Sequence, residues 1–368
     1  MVVGFSLESL MKVFEHEMVS IPIIDPIVKK LLEVPVLKYI VAFIFWKKVF
    51  AVLVIPGLLT IMLLLLFIIW FERKVTARVQ WRFGPLEISK PIGGIIQPLA
   101  DGMRYLFQEV IVHREAHRPY FLQFPLLSFI PVLLPILIIP AGAIYAIQTP
   151  YAIPAIVGLI ALIPMVIIAL GWASNSRYAY IGVLRETFMY FGYEVAFIIA
   201  VIAMLITYGT GDAFKITEMQ SYVAGIAINP LACLVFLVTA AMATSRVPFD
   251  IPEADQEVVF GPFVEYTGIV FGIVMTLAYE KLYLLGLLFS ILFLGGWNGP
   301  YIPALGDLSG GVWLVIKTAV FMMLLVFLRS VYPRFRIDQV LKLGWSQLLS
   351  ISFIALGISI VLKLGGWF

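Results

Sequence analysis

Apolar residues run along this chain in blocks of about twenty, separated by shorter charged stretches. A helix needs about twenty apolar residues to cross a hydrocarbon core of about 30 Å. Blocks at about 49–71, 122–145, 152–173, 188–208, 223–244, 311–329 and 345–364 meet that length. Pro125, Pro131, Pro135 and Pro140 interrupt the second block, which predicts a kinked helix packed among neighbours that satisfy its freed carbonyls. Residues 260–297 hold enough apolar length for two short spans. The stretch 329–342 carries Arg329, Arg334, Arg336 and Lys342, so it belongs on the same side as the other basic loops. That parity makes 260–297 one crossing followed by a non-crossing outer helix, with Glu280 and Lys281 near the outer surface. The pattern predicts an all-α, polytopic integral membrane protein with about eight transmembrane helices.

The polar stretches give the rest of the layout. Residues 1–48 mix charge and apolar side chains. Leu7, Leu10, Met11 and Phe14 recur at helical spacing, with Glu8, Lys12, Glu15 and His16 off that face, which predicts an amphipathic helix at the membrane surface and a second one after Pro22 and Pro26. Residues 49–368 form a single transmembrane helical domain with cytoplasmic loops at 72–120, 174–187, 245–260 and 329–344. The first loop holds eight basic residues, among them Arg73, Lys74, Arg78 and Arg82. The excess of Lys and Arg places it in the cytoplasm and both termini outside, in the cell membrane. Within it, Ile95, Ile96, Leu99, Met103, Leu106, Phe107 and Val110 form the stripe of a helix lying in the membrane surface.

Composition narrows the chemistry. Of the 368 residues, 62% are hydrophobic and 13% charged, against about 25% charged in soluble domains. The net charge of +3 is small, and its basic residues sit in loops, which suits membrane anchoring and gives no footing for nucleic acid. The single cysteine, Cys233, can neither form an intrachain disulfide nor hold an iron–sulfur cluster, which usually needs four. No phosphate-binding glycine loop or nucleophile elbow is present, and the N-terminus lacks the pattern of a cleavable signal peptide. His113 and His117 flank Glu115, but a zinc protease helix needs the glutamate beside its first histidine. No metal site is expected.

The densest chemistry lies between Arg246 and Tyr266. This stretch holds Asp250, Glu253, Asp255, Glu257 and Glu265, with Arg246 as the lone opposing charge. Acids so close to hydrocarbon mark a functional site by default, against the plainer reading of a solvated acidic loop. If the segment from Glu253 onward is helical, Glu253 and Glu257 are i,i+4 neighbours with Glu265 two turns on, and such crowding raises carboxyl pKa values into the range of proton exchange. Glu194 lies inside the fourth block, where an ionised carboxylate costs at least ~2.5 kcal/mol. Glu186 precedes it by eight residues, near the same helix face. Lys317, in the block at 311–329 (the seventh span once 260–297 is counted), is a second intramembrane charge that either titrates or snorkels to the outer surface. The candidate proton path is therefore Glu186, Glu194, Glu253, Asp255, Glu257, Glu265 and Lys317.

Several motifs, in order, resemble one family. Glu72-Arg-Lys-Val-x-x-Arg-Val-Gln80, Gly84-Pro85 and Ile96-Gln-Pro-Leu-Ala-Asp-Gly102 are similar to the first inner loop of the quinone-end membrane subunit of respiratory complex I (subunit 1/H). Gly171-Trp-Ala-Ser-Asn-Ser-Arg-Tyr-Ala179, Arg246-Val-Pro-Phe-Asp250 with Val264-Glu265-Tyr266, and Tyr332-Pro-Arg-Phe-Arg-Ile-Asp-Gln339 resemble its later inner loops. The resemblance implies a subunit, not catalytic alone, that joins a hydrophilic redox arm to the membrane arm. Its loops would roof a quinone chamber, partner subunits would hold the iron–sulfur clusters, and its buried acids would begin a proton path. Arg73, Arg78, Asp101, Arg246, Phe249 and Asp250 would line the chamber or the arm interface.

Three positions depart from the family pattern. Met242-Ala-Thr-Ser-Arg246 has Ala243 where the family carries a carboxylate, Gly84-Pro-Leu-Glu-Ile-Ser89 replaces Gly-Pro-Asn-x-Val-Gly, and Ala278-Tyr-Glu280 transposes Ala-Glu-Tyr. These departures, with only three asparagines in the chain, keep a second reading open: the equivalent subunit of a ferredoxin-linked hydrogenase or sulfane reductase from an archaeal or thermophilic source. A third is a stand-alone proton-coupled carrier, which the lack of an inverted repeat disfavours.

Overall fold

The structure, a computed structural model, describes residue 14 and residues 17–366. The N-terminal amphipathic helix expected around Leu7 to His16 thus lies almost wholly outside the described residues. These are mainly helical, without a β-sheet. Among the described residues, seven helical stretches are long and apolar enough to cross a membrane: Lys47–Val79, Arg118–Ile138, Ala152–Ser174, Arg177–Tyr208, Gly268–Phe293, Leu308–Val331 and Ile337–Leu364, the first broken between Leu53 and Leu58. An eighth apolar helix, Pro230–Ala243, has 14 residues and a length of roughly 21 Å, short of the hydrocarbon core.

Two boundaries differ from expectation for a common reason. The inner loop expected at 174–187 contracts to a turn, because left-handed Asn175 ends one helix and the next begins at Arg177. The helix Leu58–Val79 likewise carries Glu72, Arg73 and Arg78 on its last turns. Charged residues end an apolar block without ending a helix, since the backbone bonds continue wherever side chains can reach protein or water. The proline-rich second span divides as expected, into Arg118–Leu127 and Ile130–Ile138.

Residues 260–297 correct a larger expectation. They form one helix, Gly268–Phe293, and no separate outer helix. Every residue from Glu280 to Phe293 is buried. A helix apolar on all sides belongs in a core, and this one runs through the middle of the bundle. It packs on Leu308–Val331 and on the short helix Gln97–Phe107, where Tyr105 meets Phe271 edge to face. The long helix Arg177–Tyr208 packs on Ala152–Ser174, Pro230–Ala243 and Leu349–Leu364. Just before that last helix begins, a Cβ on Gly344 would overlap the Gly192 carbonyl, so the two backbones touch. Outward faces stay apolar: Leu59, Met62 and Leu63 are about half exposed, as lipid-facing residues should be.

The acidic stretch is a packed loop. Its short helix, Asp255–Val258, ends in three successive left-handed residues, Val259, Phe260 and Gly261. A β-branched residue in that region is strained, and the surroundings must hold it there. Part of that hold is close packing, since a Cβ on Gly182 of the long helix would come within 2.7 Å of Gly261 Cα. The loop is thereby seated on the long helix one turn from Glu186.

Candidate functional site

A cavity of about 200 Å³ opens beneath this loop, lined among others by Glu72, Arg246, Asp250, Glu253, Tyr279 and Arg329. Four elements meet there. Glu72 comes from the end of Leu58–Val79, Arg329 from the end of Leu308–Val331 and Tyr279 from the central helix. The loop supplies the rest. Arg246 Nη1 donates to Glu72 Oε2 at 2.7 Å, and the Tyr279 hydroxyl donates to the same oxygen at 3.3 Å. Arg329 pairs with Glu72 Oε1. The Arg246 guanidinium lies 4.1 Å from the centre of the Tyr279 ring. Two guanidinium groups on one carboxylate leave a positive excess, which the carboxyl groups of Asp250, Glu253 and Asp255 face across the cavity.

Two of these acids hold protons more tightly than usual. Burial pushes Glu253 up to about 8, with Asp250, Glu186 and Asp255 adding to the effect and Arg246 opposing it. Burial also raises Asp250, assisted by Asp255 and opposed by Arg334. Asp250 Oδ1 is buried without a protein hydrogen-bond partner among the described residues. A carboxyl that titrates near neutral pH inside a cavity suits proton uptake and release.

A narrower gap continues inward from Glu253. It measures about 10 Å³, on the order of one water, and is lined by Ala243, Ser245, Glu253, Ala278 and Lys281, among others. Ser245 Oγ donates to Glu186 Oε2 at 3.0 Å, while Glu186 Oε1 is buried without a partner among the described residues. Lys281 Nζ donates to the Tyr193 hydroxyl at 3.2 Å. One residue on, Glu194 also has a buried, unpartnered Oε1 among the described residues. The sequence of polar groups therefore runs from the cavity through Glu253, Ser245 with Glu186, and Lys281 with Tyr193 to Glu194.

The structure thus groups Arg246, Asp250, Glu253 and Asp255 at the cavity, with Glu186 and Glu194 inward of it, and disperses the other candidates. Asp255 borders the cavity from the start of the short loop helix. Glu257 turns outward to Arg185 and to Arg334, 3.3 Å away. The expected alignment of Glu253, Glu257 and Glu265 on one helix fails, because the helix starts at Asp255 and stops at Val258. The expected rise in the Glu257 pKa is also reversed, since its hydrogen bond from Arg185 lowers it. Half-buried Glu265 lies 3.9 Å from His113 Nδ1. Arg73 pairs with Asp101 on the surface, and Arg78 is exposed. Phe249 is buried against the Phe335 ring, 5.6 Å between centres, and does not line the cavity. Lys317 donates to the carbonyls of Leu294, Gly296 and Asn298 at 2.7, 2.9 and 2.7 Å, closing the end of the central helix far from the acids in sequence and contacts.

Sequence reading misses Glu72, Tyr279, Ser245, Arg329 and Lys281 as site residues. The expectation that Glu280 and Lys281 lie near the outer surface is overturned: both are buried, Lys281 at 2% exposure. Their signal is the unbroken apolar run after them, which has no polar face to turn outward. The two histidines of the discounted metal motif lie apart, His117 stacking on Trp172. Among the described residues no group of three or more His, Cys, Asp or Glu could hold a metal ion.

Comparison with known proteins bears on this arrangement. The family model described as NADH dehydrogenase matches residues 50–360. The chain is 33% identical over 318 residues to the H subunit of NADH-quinone oxidoreductase from Syntrophotalea carbinolica, covering 84% of this chain and 92% of that one. It is 31% identical over 298 residues to the subunit of the same name from Geobacillus kaustophilus, covering 81% and 88%.

Proposed function

This chain belongs to the NADH dehydrogenase family of complex I subunit 1/H, a multi-pass membrane subunit of that complex, and from that membership we propose that it couples quinone reduction to proton translocation. The chain itself is not catalytic. Partner subunits of a hydrophilic arm carry the iron–sulfur clusters, for which Cys233 alone is no substitute. The cavity beneath the loop receives the quinone headgroup. Its apolar walls, including Phe260, Phe263 and Met275, suit a ring, and Arg246 supplies a donor to a developing oxyanion. Arg73, Arg78 and Asp101 lie on the partner-facing surface.

The observation that carries this reading is the position of Glu253. It borders both the cavity and the inner gap, so a proton taken there in response to quinone chemistry has a polar way inward to Glu186 and Glu194. The basic loops face the cytoplasm, both termini face outward, and residues 17–48 lie along the membrane surface.

The test uses the complex purified from its native membrane and reconstituted into vesicles. The chain should copurify with iron–sulfur subunits, and a quinone-site inhibitor should block turnover. Glu253→Gln should lower the protons moved per electron pair. A chain that purifies alone, or a Glu253→Gln complex with wild-type stoichiometry, would refute the reading.

A further inference from the structure

Lys281 is a basic side chain in the middle of the central helix, 2% exposed and walled by apolar residues on the C-terminal side. Its hydrogen bond to the Tyr193 hydroxyl, at 3.2 Å, satisfies one of its three N–H donors. Its ammonium interacts electrostatically with carboxylates from two directions: Glu186 and Glu194 on the long helix, and Glu253 on the loop. Arg246, the basic side chain nearest this group on the loop, already binds Glu72. One ammonium balances one carboxylate, so the protonation states of the three acids are tied to each other through Lys281.

The position of the ammonium is as informative as its charge. Lys281 and Glu253 line the same narrow gap, which holds on the order of one water. Glu186 faces that gap through Ser245, and Glu194 comes directly after Tyr193 on the long helix. Glu186 and Glu194 each keep a buried oxygen without a partner among the described residues. Two waiting acceptors, a lysine that interacts with both and a proton-holding acid at the mouth make a set with one group in common. The Tyr193 ring, whose centre lies 5.7 Å from Nζ, steadies the ammonium without supplying a counter-charge.

We propose that Lys281 is the proton-exchanging link between the cavity and the membrane interior, passing protons from Glu253 to Glu194 through its own amine. This rests on the reading of Glu253 as the entry acid. The Lys281 ammonium gives a proton to the Glu194 carboxylate, leaving a neutral amine and a carboxylic acid. The amine then takes a proton from protonated Glu253, whose carboxylate is left facing Arg246. Glu186, held by Ser245, is the counter-charge that keeps the ammonium in place between transfers. A lysine suits this task because its compact ammonium can lose its proton when buried, whereas a guanidinium does not.

The experiment compares Lys281→Arg, Lys281→Met and Glu253→Gln in the intact complex in vesicles. NADH is the electron donor, or dithionite-reduced ferredoxin where NADH is not oxidised, and a short-chain quinone is the acceptor. The readout is protons moved per electron pair, which a purely structural defect would not change in the complexes that remain active. Lys281→Arg and Lys281→Met should each lower that ratio by more than half. Wild-type stoichiometry in either one overturns the proposal, and rescue by arginine alone would mean that only the charge matters. If the ratio falls in Glu253→Gln but not in the lysine variants, the coupling reading stands and the lysine relay fails. If it falls in none, both fail. Should Lys281→Met leave Glu186 uncompensated and block assembly, the charge-balanced pair Lys281→Met with Glu186→Gln should assemble and still pump poorly. On the unmodified complex, infrared difference spectra between oxidised and reduced states should contain a band sensitive to ¹⁵N-lysine labelling. A spectrum without one is a second refutation.

Discussion

Glu72→Gln is the sharpest test of how the cavity is held together. The change keeps the shape of the side chain and removes its charge. In the wild type, Glu72 receives Arg246 and Arg329 on its two oxygens and Tyr279 on one of them. The side chains of Glu72 and Arg246 are 11% and 8% exposed, so their pair is buried. Removing one partner of a buried pair costs about 3–5 kcal/mol, because the other charge is left without compensation. Two features pull the value to the lower end. Arg329 is 37% exposed and can turn to water, and glutamine still accepts one hydrogen bond. About 3 kcal/mol is expected. At roughly 2 °C per kcal/mol, the low end for larger chains, the unfolding midpoint of the complex should fall by about 6 °C. Tryptophan fluorescence on heating reads it. Arg246→Met in the Glu72→Gln background should cost less than the two changes summed, with a coupling of about 1 kcal/mol or more. A midpoint within about a degree of wild type, or strictly additive losses, would show that the triad does not hold these helices together.

Glu253 carries a pH signature. Its folded pKa, about 8, stands above the ordinary value of 4.5, so the folded state holds the extra proton between those limits. Stability should therefore be unaffected by this group below about pH 4.5 and decline as pH rises to about 8, by up to about 1.4 kcal/mol per unit. Glu253→Gln should flatten that decline in a melting series across pH, and an unchanged slope would refute the assignment. Glu257 has the opposite sign, since its pKa is lowered. Its half-exposed pairing with Arg185 and Arg334 is worth roughly 0.2–1 kcal/mol per pair, so Glu257→Gln should shift the midpoint slightly in low salt and not in high salt. Lys317→Met removes three donor contacts from carbonyls at the end of the central helix and should lower the yield of assembled complex. The protons moved per electron pair should not change; a lower ratio would restore Lys317 to the proton path.

How much of this was legible in the sequence depended on what kind of interaction held each residue. Most spans and the proline break were readable because they come from the local ratio of apolar to polar residues, although the block at 223–244 holds a helix of only 14 residues. The family was readable from ordered loop motifs, and the family model and the relatives extend that likeness over most of the chain. Glu194 and Glu186 were readable as acids inside an apolar block or at its edge. Glu72 was not, because its partners Arg246 and Arg329 lie 174 and 257 residues away and only packing brings them together. The acidic loop misled in the opposite sense. Its spacing fits a helix, but left-handed Val259, Phe260 and Gly261 end that helix and turn Glu257 outward while Glu253 stays inside.

Lys281 shows why charge in an apolar chain should be judged by the residues on its C-terminal side. Beside Glu280 it looks like the polar end of a span, and counting loops by charge pushes it to the surface. The thirteen residues from Lys281 to Phe293 are all buried. A helix with no exposed face cannot snorkel a lysine sideways to lipid headgroups, so the ammonium must find its partners within the bundle. The acids it meets are those of the long helix and the loop, and their grouping results from that constraint. The relay proposed for Lys281 thus follows from where a buried helix of the bundle carries its charged pair.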